Sequence, residues 1–401
     1  MKSHLLDLRN ILMLTGVVFQ ATLYTLLIMQ LFADLDVLRR VDYVAIYTGG
    51  YIAHYRSLSV LYDMNLQRQV EDALVAPERL SRFYPYNHPP ILARVLQWVT
   101  TENYTASYVR WVLVLLVFHL ASLLTLSRTL TSLNWRGKDV WVVGISGLLF
   151  YPIFTAYLKG QDSTFIVLAV SLWTYGLLTG RDRVAGLGLA LTALRPQVAI
   201  VLALPFLFKR RHVWWWFIVW GIVLLVYSWL LVGTKGMTDL ANLLLLSGQG
   251  QGIDVDKMPT LMGAIANYFP AITPQALHLV GYGFYILAIL FLCVVWFKSR
   301  AIEFKHIGLA VLLAIVFSSH LHNHDLSLLF IPALAAAAVL AEYKILSYRD
   351  AALLPLGLSV LLMLNGLIPF RPVIYVLMLI LGLLLWVPDW LKTNRKERLA
   401  C

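Results

Sequence analysis

Charge is what this sequence has least of. Only 13% of its 401 residues are Asp, Glu, Lys or Arg, about half the share of an ordinary soluble domain. A chain this poor in charge cannot cover a water-facing surface. Cysteine is as scarce: Cys293 lies inside an apolar run and Cys401 is the last residue, so neither a disulfide nor a metal framework follows. No internal repeat, low-complexity linker or composition break marks off a separate soluble domain, and residues 1–401 read as one integral membrane domain.

What is abundant is apolar. Hydrophobic residues make up 60% of the chain, gathered in runs of roughly 17–25 residues, the length a helix needs to cross a bilayer. The predicted spans are 11–32, 110–127, 139–157, 163–179, 213–232, 280–297, 306–320, 324–342, 351–368 and 373–391. The fold class expected is therefore an all-α polytopic membrane protein of about ten spans. The first run is too long for a signal-peptide core and no small-residue cleavage site follows it, so it reads as a retained span. The net charge of +11 invites a nucleic-acid partner. The basic residues punctuate the spans and form no continuous stripe, which favours a topology signal facing a lipid bilayer and no nucleic acid.

Residues 184–208 lie between Arg181 and Arg183 on one side and Lys209, Arg210 and Arg211 on the other, with Arg195-Pro196 in the middle. They read either as one tilted span or as a re-entrant hairpin turning at Pro196. Loop charge favours the hairpin. With Lys2 and Arg9 cytoplasmic, every short basic loop then falls inside, through to the tail with Arg395, Lys396 and Arg398. Both termini become cytoplasmic. The loops 33–109 and 233–279, the turn Lys159-Gly160-Gln161-Asp162, the segment His320 to Asp325 and the hairpin tip all fall on the extracytoplasmic face. Pro90 to Val99 and Leu261 to Tyr268 are amphipathic stretches suited to the interface.

Chemistry is expected in those outer segments. Asp34, Asp36, Asp42 and Asp63 each qualify as a general base above the membrane, since a carboxylate with a reference pKa of ~3.9 is ionised at neutral pH. Tyr47 and the cluster around Tyr86 and His88 are candidate sugar- or acceptor-binding groups, with an interfacial aromatic belt as the alternative. Arg195, an ionisable group near membrane depth, is a candidate phosphate ligand, as are Lys159 and Gln161; the competing reading is snorkelling or helix capping for Arg195 and snorkelling for Lys159. His320, His324 and Asp325 allow metal binding if helical, because i and i+4 share a face. The segment straddles a predicted turn, and hydrogen bonding to phosphate or sugar, or a plain structural turn, remain open.

An ordered set of these elements resembles glycosyltransferase family 87, within the GT-C superfamily of membrane enzymes. The residues that carry it are Asp42-Tyr43…Tyr47…Gly49-Gly50, Leu61-Tyr62-Asp63, Phe83…Pro89-Pro90, Gly160-Gln161, Ala185-Gly186…Arg195-Pro196, Lys209-Arg210-Arg211 and His324-Asp325…Leu328-Leu329…Pro332. Asn87-His88 interrupts the usual Tyr-Pro-Pro. Arg195 stands where Lys is common, keeping the cation and changing its geometry. The resemblance implies a GT-C-like helical bundle and an inverting transfer of a sugar, commonly mannose, from a polyprenyl-phosphate donor to a glycolipid or glycan hydroxyl. It implies Asp42 as the catalytic carboxylate and Arg195, Lys159, Gln161 and His324 at the donor phosphate. Tyr47, Tyr86, His88, Asp162, His320 and Asp325 remain for sugar or acceptor. No cofactor or metal is implied, and the expected location is a prokaryotic plasma membrane. The competing reading is a transporter or flippase for a lipid-linked or anionic solute. Transporters place substrates near the midplane, often within inverted repeats; polar clusters in outer loops and the lack of a repeat favour the enzyme. A non-catalytic scaffold subunit is the third reading, and it leaves the clustered ionisable groups without a task.

Overall fold

A computed structural model describes residues 2–34, 39, 42–76, 83–248, 255–367 and 372–400. Two residues raised by the sequence, Asp36 and Cys401, lie outside the described residues. All regular structure among the described residues is helical. In chain order the helices are α1 (Lys2–Ala33), α2 (Tyr43–Tyr55), α3 (Met64–Val75), α4 (Pro90–Val99), α5 (Tyr104–Ser132), α6 (Gly137–Leu148), α7 (Tyr151–Lys159), α8 (Ser163–Leu178) and α9 (Asp182–Thr192). They continue as α10 (Pro196–Ala203), α11 (Arg211–Gly248), α12 (Leu261–Tyr268), α13 (Pro274–Lys298), α14 (Phe304–Val316), α15 (Phe330–Glu342), α16 (Tyr348–Ala351), α17 (Leu354–Leu367) and α18 (Pro372–Ala400). A 3₁₀ segment, Asn323–Leu329, leads into α15.

Among the described residues, seven stretches are long and apolar enough to cross a membrane: Met13–Ala33, Tyr104–Ser132, Gly137–Lys159, Arg211–Leu245, Pro274–Lys298, Asn323–Glu342 and Tyr348–Gly366. The chain is an integral membrane protein. The other three expected spans correspond to shorter apolar helices, α8, α14 and Pro372–Trp386. At 1.5 Å per residue, α8 is about 24 Å long, short of the ~30 Å hydrocarbon core. The ten expected spans therefore divide into seven long helices and three short ones.

The helices differ sharply in what covers them. The middle of the Asn323–Glu342 stretch is wholly buried inside the protein, whereas that of Arg211–Leu245 is almost bare. Sequence explains the difference. The α15 run Ala335-Ala336-Ala337-Ala338 carries no bulk, so α14 and α18 pack directly against it, and Gly308 of α14 sits over Ala335. By contrast, α11 presents Ile222, Leu225, Trp229 and Leu230 outward, as a lipid-facing helix does. The region expected as a loop from 233 begins with a break at Gly233 (φ 69°, ψ −178°), after which the chain resumes helical geometry as far as Gly248.

Two arrangements position the site. First, α9 and α10 form a hairpin whose ends meet. Arg210 donates to the Asp182 carboxylate and to the Leu177 carbonyl, both at 2.6 Å, while Arg195 stands at the turn. Second, α2, α3 and α4 fold onto the start of α5 through a cluster of Tyr43, Tyr47, Tyr86, Leu96 and Trp111. A Cβ at Gly49 would collide with the Tyr86 ring, so this close approach requires glycine. Amphipathic α4 buries Leu92, Ala93 and Leu96 and leaves Trp98 75% exposed.

Candidate active site

The turn after α7 sets the geometry. Gly160 adopts a left-handed conformation (φ 63°), in which the Gly160 N–H donates to the Tyr157 carbonyl and the Gln161 N–H to that of Ala156, a helix-ending pattern glycine adopts without strain. The Trp111 indole N–H donates to the Gly160 carbonyl at 2.8 Å, and the Tyr43 side chain packs where a Cβ would stand. This turn sends Asp162 into the protein and leaves Lys159 at the rim.

Asp162 is fully buried and sits between two partners. Arg195 Nη2 donates to its Oδ1 at 2.6 Å. His88 Nδ1 lies 3.1 Å from Oδ2, within ion-pair reach though poorly aligned for a hydrogen bond. Arg195 turns its Nε to Asp325 Oδ1 at 3.4 Å. Asp325 also accepts the His322 backbone N–H at 3.0 Å and lies 3.6 Å from His324 Nε2. The result is a continuous buried chain, His88–Asp162–Arg195–Asp325–His324. Burial alone would raise the Asp162 carboxyl. The Arg195 guanidinium, aided by His88, overcomes that and holds it well below the usual carboxylate range. Burial opposes the charge on Arg195 as well, but the two carboxylates raise it above its ordinary value. Asp162 and Arg195 are thus an ionised buried pair.

Asp42 is built differently. It precedes α2 but makes no cap hydrogen bond with its side chain. Lys159 Nζ approaches its Oδ2 at 3.7 Å, and both side chains are more than one-third exposed. Of the other candidate bases, Asp63 is committed to capping α3, accepting the Asn65 and Leu66 N–H groups. Asp42 and Lys159 adjoin the histidine segment, since both act electrostatically on His322, whose imidazole is lowered first by burial. His320 is pushed down to about 4, again mainly by burial and then by His322. Both rings therefore stay neutral at pH 7.

The histidines do not share a helix face. His320 precedes the 3₁₀ segment, its ring stands edge-on to His322, and His322 packs against His324. Among the described residues no group of three or more His, Cys, Asp or Glu is placed to hold a metal ion. The structure brings His88, Asp162, Arg195, His324 and Asp325 together, with Asp42 and Lys159 beside them. The Tyr86 ring packs against His88 with centroids 5.4 Å apart, whereas Tyr47 is left outside the cluster. Tyr47 is buried and its hydroxyl donates to the Thr101 carbonyl at 3.0 Å, and Tyr86 is wholly buried against Gly49.

Several supporting residues escape a reading of the sequence. Gln67 accepts the Tyr86 N–H at 2.8 Å and donates to the Leu61 carbonyl. Glu71 accepts the Tyr84 N–H at 3.1 Å, and burial pushes its carboxyl up to about 8. Together they fix the segment carrying His88, whose own carbonyl accepts the Tyr62 hydroxyl. Gln197 donates to the His320 carbonyl at 2.6 Å, and Tyr285 donates to that of Gln197. In sequence these are unremarkable polar residues on helices; only the four-residue spacing of Gln67 and Glu71, on one face of α3, hints at a shared task.

No curated protein and no solved structure matches the chain. A family model does. It runs over residues 86–321, more than half of the chain, from Tyr86 through His88, the Gly160-Gln161 turn, Asp162 and Arg195 to the start of the histidine segment. The match takes in His88, Lys159, Asp162 and Arg195 of the site, with Asp42, His324 and Asp325 lying beyond its ends, and the chain belongs to glycosyltransferase family 87.

Proposed function

We propose that this membrane glycosyltransferase is an inverting hexosyltransferase that moves mannose from a polyprenyl-phosphate donor to a hydroxyl of a glycolipid or glycan. The reaction takes place on the extracytoplasmic face of a prokaryotic plasma membrane, with both termini cytoplasmic. The observation that carries the reading is the Asp42–Lys159 pair, a carboxylate and an ammonium 3.7 Å apart at the rim of a cluster whose charged side chains are already paired with one another. Inversion needs a base on one face of the anomeric carbon and a cation beside the phosphate on the other. Asp42 accepts the acceptor hydroxyl proton as that oxygen bonds to the anomeric carbon. The bond from that carbon to the phosphate oxygen breaks, and the electron pair leaves with the lipid phosphate, towards which Lys159 swings. Gln161 and His324 belong to the same phosphate side.

Arg195 enters this scheme through the site's frame. Two edges of its guanidinium are committed to Asp162 and Asp325. It acts on the donor phosphate through its field and by holding the hairpin turn against the histidine segment. His88, Asp162, His320 and Asp325 border the space for sugar and acceptor. Tyr47 and Tyr86 act from the packed layer beneath.

The test is transfer by the purified protein in detergent, given a panel of radiolabelled polyprenyl-phosphate sugars and nucleotide sugars and a membrane lipid extract, with Asp42→Asn in parallel. Labelled product from the mannosyl donor with wild type and none with Asp42→Asn is the expected result. Labelled product from a nucleotide sugar alone would overturn the donor class. Movement of a lipid-linked sugar across proteoliposomes without transfer would make the protein a flippase.

A further inference from the structure

The α9–α10 hairpin has a second charged end, far along the helices from Arg195. A cavity of about 480 Å³ opens there, lined by Arg181, Asp182, Arg183, His212 and Trp216 among others. Its one lining carboxylate, Asp182, is already taken by Arg210 at 2.6 Å and does not cancel the cations. The Arg183 guanidinium carbon lies over the Trp216 ring, 4.8 Å from its centroid, and that of Arg181 over Tyr175 at 5.3 Å. An aromatic face fixes each guanidinium, and neither guanidinium donates a hydrogen bond to another described residue. Arg181 caps α9 with no side-chain hydrogen bond, so first-turn N–H groups also face this end. Cations held by ring faces with free N–H edges, beside an uncapped helix start, suit a phosphate.

What the phosphate is attached to follows from the neighbouring surface. An entirely apolar groove of about 240 Å³ runs between α10 and α11, lined by Ala199, Ile200, Ala203, Trp214 and Phe217 among others. The first turns of α11 line both spaces, with His212 and Trp216 in the charged cavity and Trp214 and Phe217 in the groove. The charged cavity lies where α8 ends and the apolar stretch of α11 begins, at the level of headgroups. We propose that this end of the hairpin binds one anionic phospholipid, its phosphate among Arg181, Arg183 and His212 and one acyl chain in the α10–α11 groove. The lipid would clamp α9 to α11 from outside, as the Arg210–Asp182 pair does from within. The proposal does not depend on the donor or acceptor named above.

The test is native mass spectrometry of the full chain in mild detergent, titrated with dioleoyl-phosphatidylglycerol or dioleoyl-phosphatidylcholine. Wild type is expected to retain one phosphatidylglycerol and to prefer it over phosphatidylcholine. Arg181→Gln with Arg183→Gln should weaken retention by about thirtyfold, roughly fivefold for each basic residue near a headgroup. A double variant at another basic loop, Arg128→Gln with Lys138→Gln, should leave retention unchanged. If the first double variant loses its monodisperse elution, Arg183→Gln alone, expected to weaken retention about fivefold, takes its place. Equal retention of both lipids, or unchanged retention in the Arg181 and Arg183 variants, overturns the proposal. So does displacement of the lipid by millimolar inorganic phosphate, which would mark a free-phosphate site.

Discussion

Lys159 and Asp162 are three residues apart, yet they belong to opposite kinds of electrostatics. Asp162 is buried, 2.6 Å from Arg195, and held ionised by its partners. Lys159 is 44% exposed and meets Asp42 at 3.7 Å. The first pair is locked, because separating two desolvated charges leaves both without water. The second is loose, because solvent screens it and compensates for parting. A catalytic base and a phosphate ligand must both change partners during turnover, which only the loose pair can do cheaply. On the proposed function the locked pair is structural and the loose pair carries the chemistry, and each role can be broken separately.

The largest effect is expected at Asp42. Asp42→Asn keeps the size of the side chain and removes the base, so kcat should fall by roughly 10²–10⁴-fold. The melting temperature in detergent should hold, because a half-exposed pair contributes little to stability. A variant that melts early, or turns over at the wild-type rate, would erase the distinction between the two pairs.

Asp162→Asn is expected to do the reverse. It leaves Arg195 with one carboxylate, 3.4 Å away, and turns the charged partner at 2.6 Å into a neutral amide. Breaking a buried pair by removing one partner costs about 3–5 kcal/mol. Denaturant or thermal unfolding in detergent should show that loss before any assay is run. An unfolding curve superimposable on wild type would mean that the buried network does not hold the fold.

How much of this was legible beforehand varies with the range of the interaction. Helicity, membrane insertion and the short helices at Pro90–Val99 and Leu261–Tyr268 follow from local pattern. The segments that meet at the site were also separable, because ionisable residues stand out in an apolar chain. Pairing was not legible. Arg195 finds Asp162 and Asp325 at separations of 33 and 130 residues, and no local pattern records that its charge is already matched. Tyr47 and Tyr86 show the complementary limit. Aromatics in a loop look available for a sugar, and only the packing of Gly49 against Tyr86 and the Thr101 carbonyl on Tyr47 reveals that they are covered. Gln67 is illegible for a third reason, since its task is to satisfy backbone groups whose exposure depends on the finished fold.

The histidine segment offers a pH test of the buried side. His320 stays neutral in the folded protein, lowered to about 4, whereas an unfolded histidine titrates near 6.5. Between those values the unfolded state binds the extra proton, so the stability contributed by a neutral His320 should be lost as pH drops from about 6.5 to about 4. The loss is of order 3 kcal/mol. Equilibrium unfolding from pH 7.5 to 4.5 measures the slope, and His320→Gln should subtract its share, leaving the part due to His322 and the opposing part due to Glu71. A slope unchanged by the substitution would place the titrating group elsewhere.

The smallest effect is expected at Lys159 and discriminates most finely. Lys159→Gln removes a cation from the rim without uncovering a buried charge, so its unfolding midpoint should stay within error of wild type. If Lys159 meets the leaving phosphate, kcat/KM should drop about tenfold, the scale of one hydrogen bond to a charged group. Lys159→Arg, which restores the charge on a longer, planar head, should recover part of it. The split between kcat and KM then locates the contact. A fall in kcat alone means that Lys159 meets the phosphate as its charge develops, and a rise in KM alone means that it only anchors the donor. Loss of stability without loss of rate would move Lys159 to the structural side, leaving Asp42 to act without its neighbouring cation.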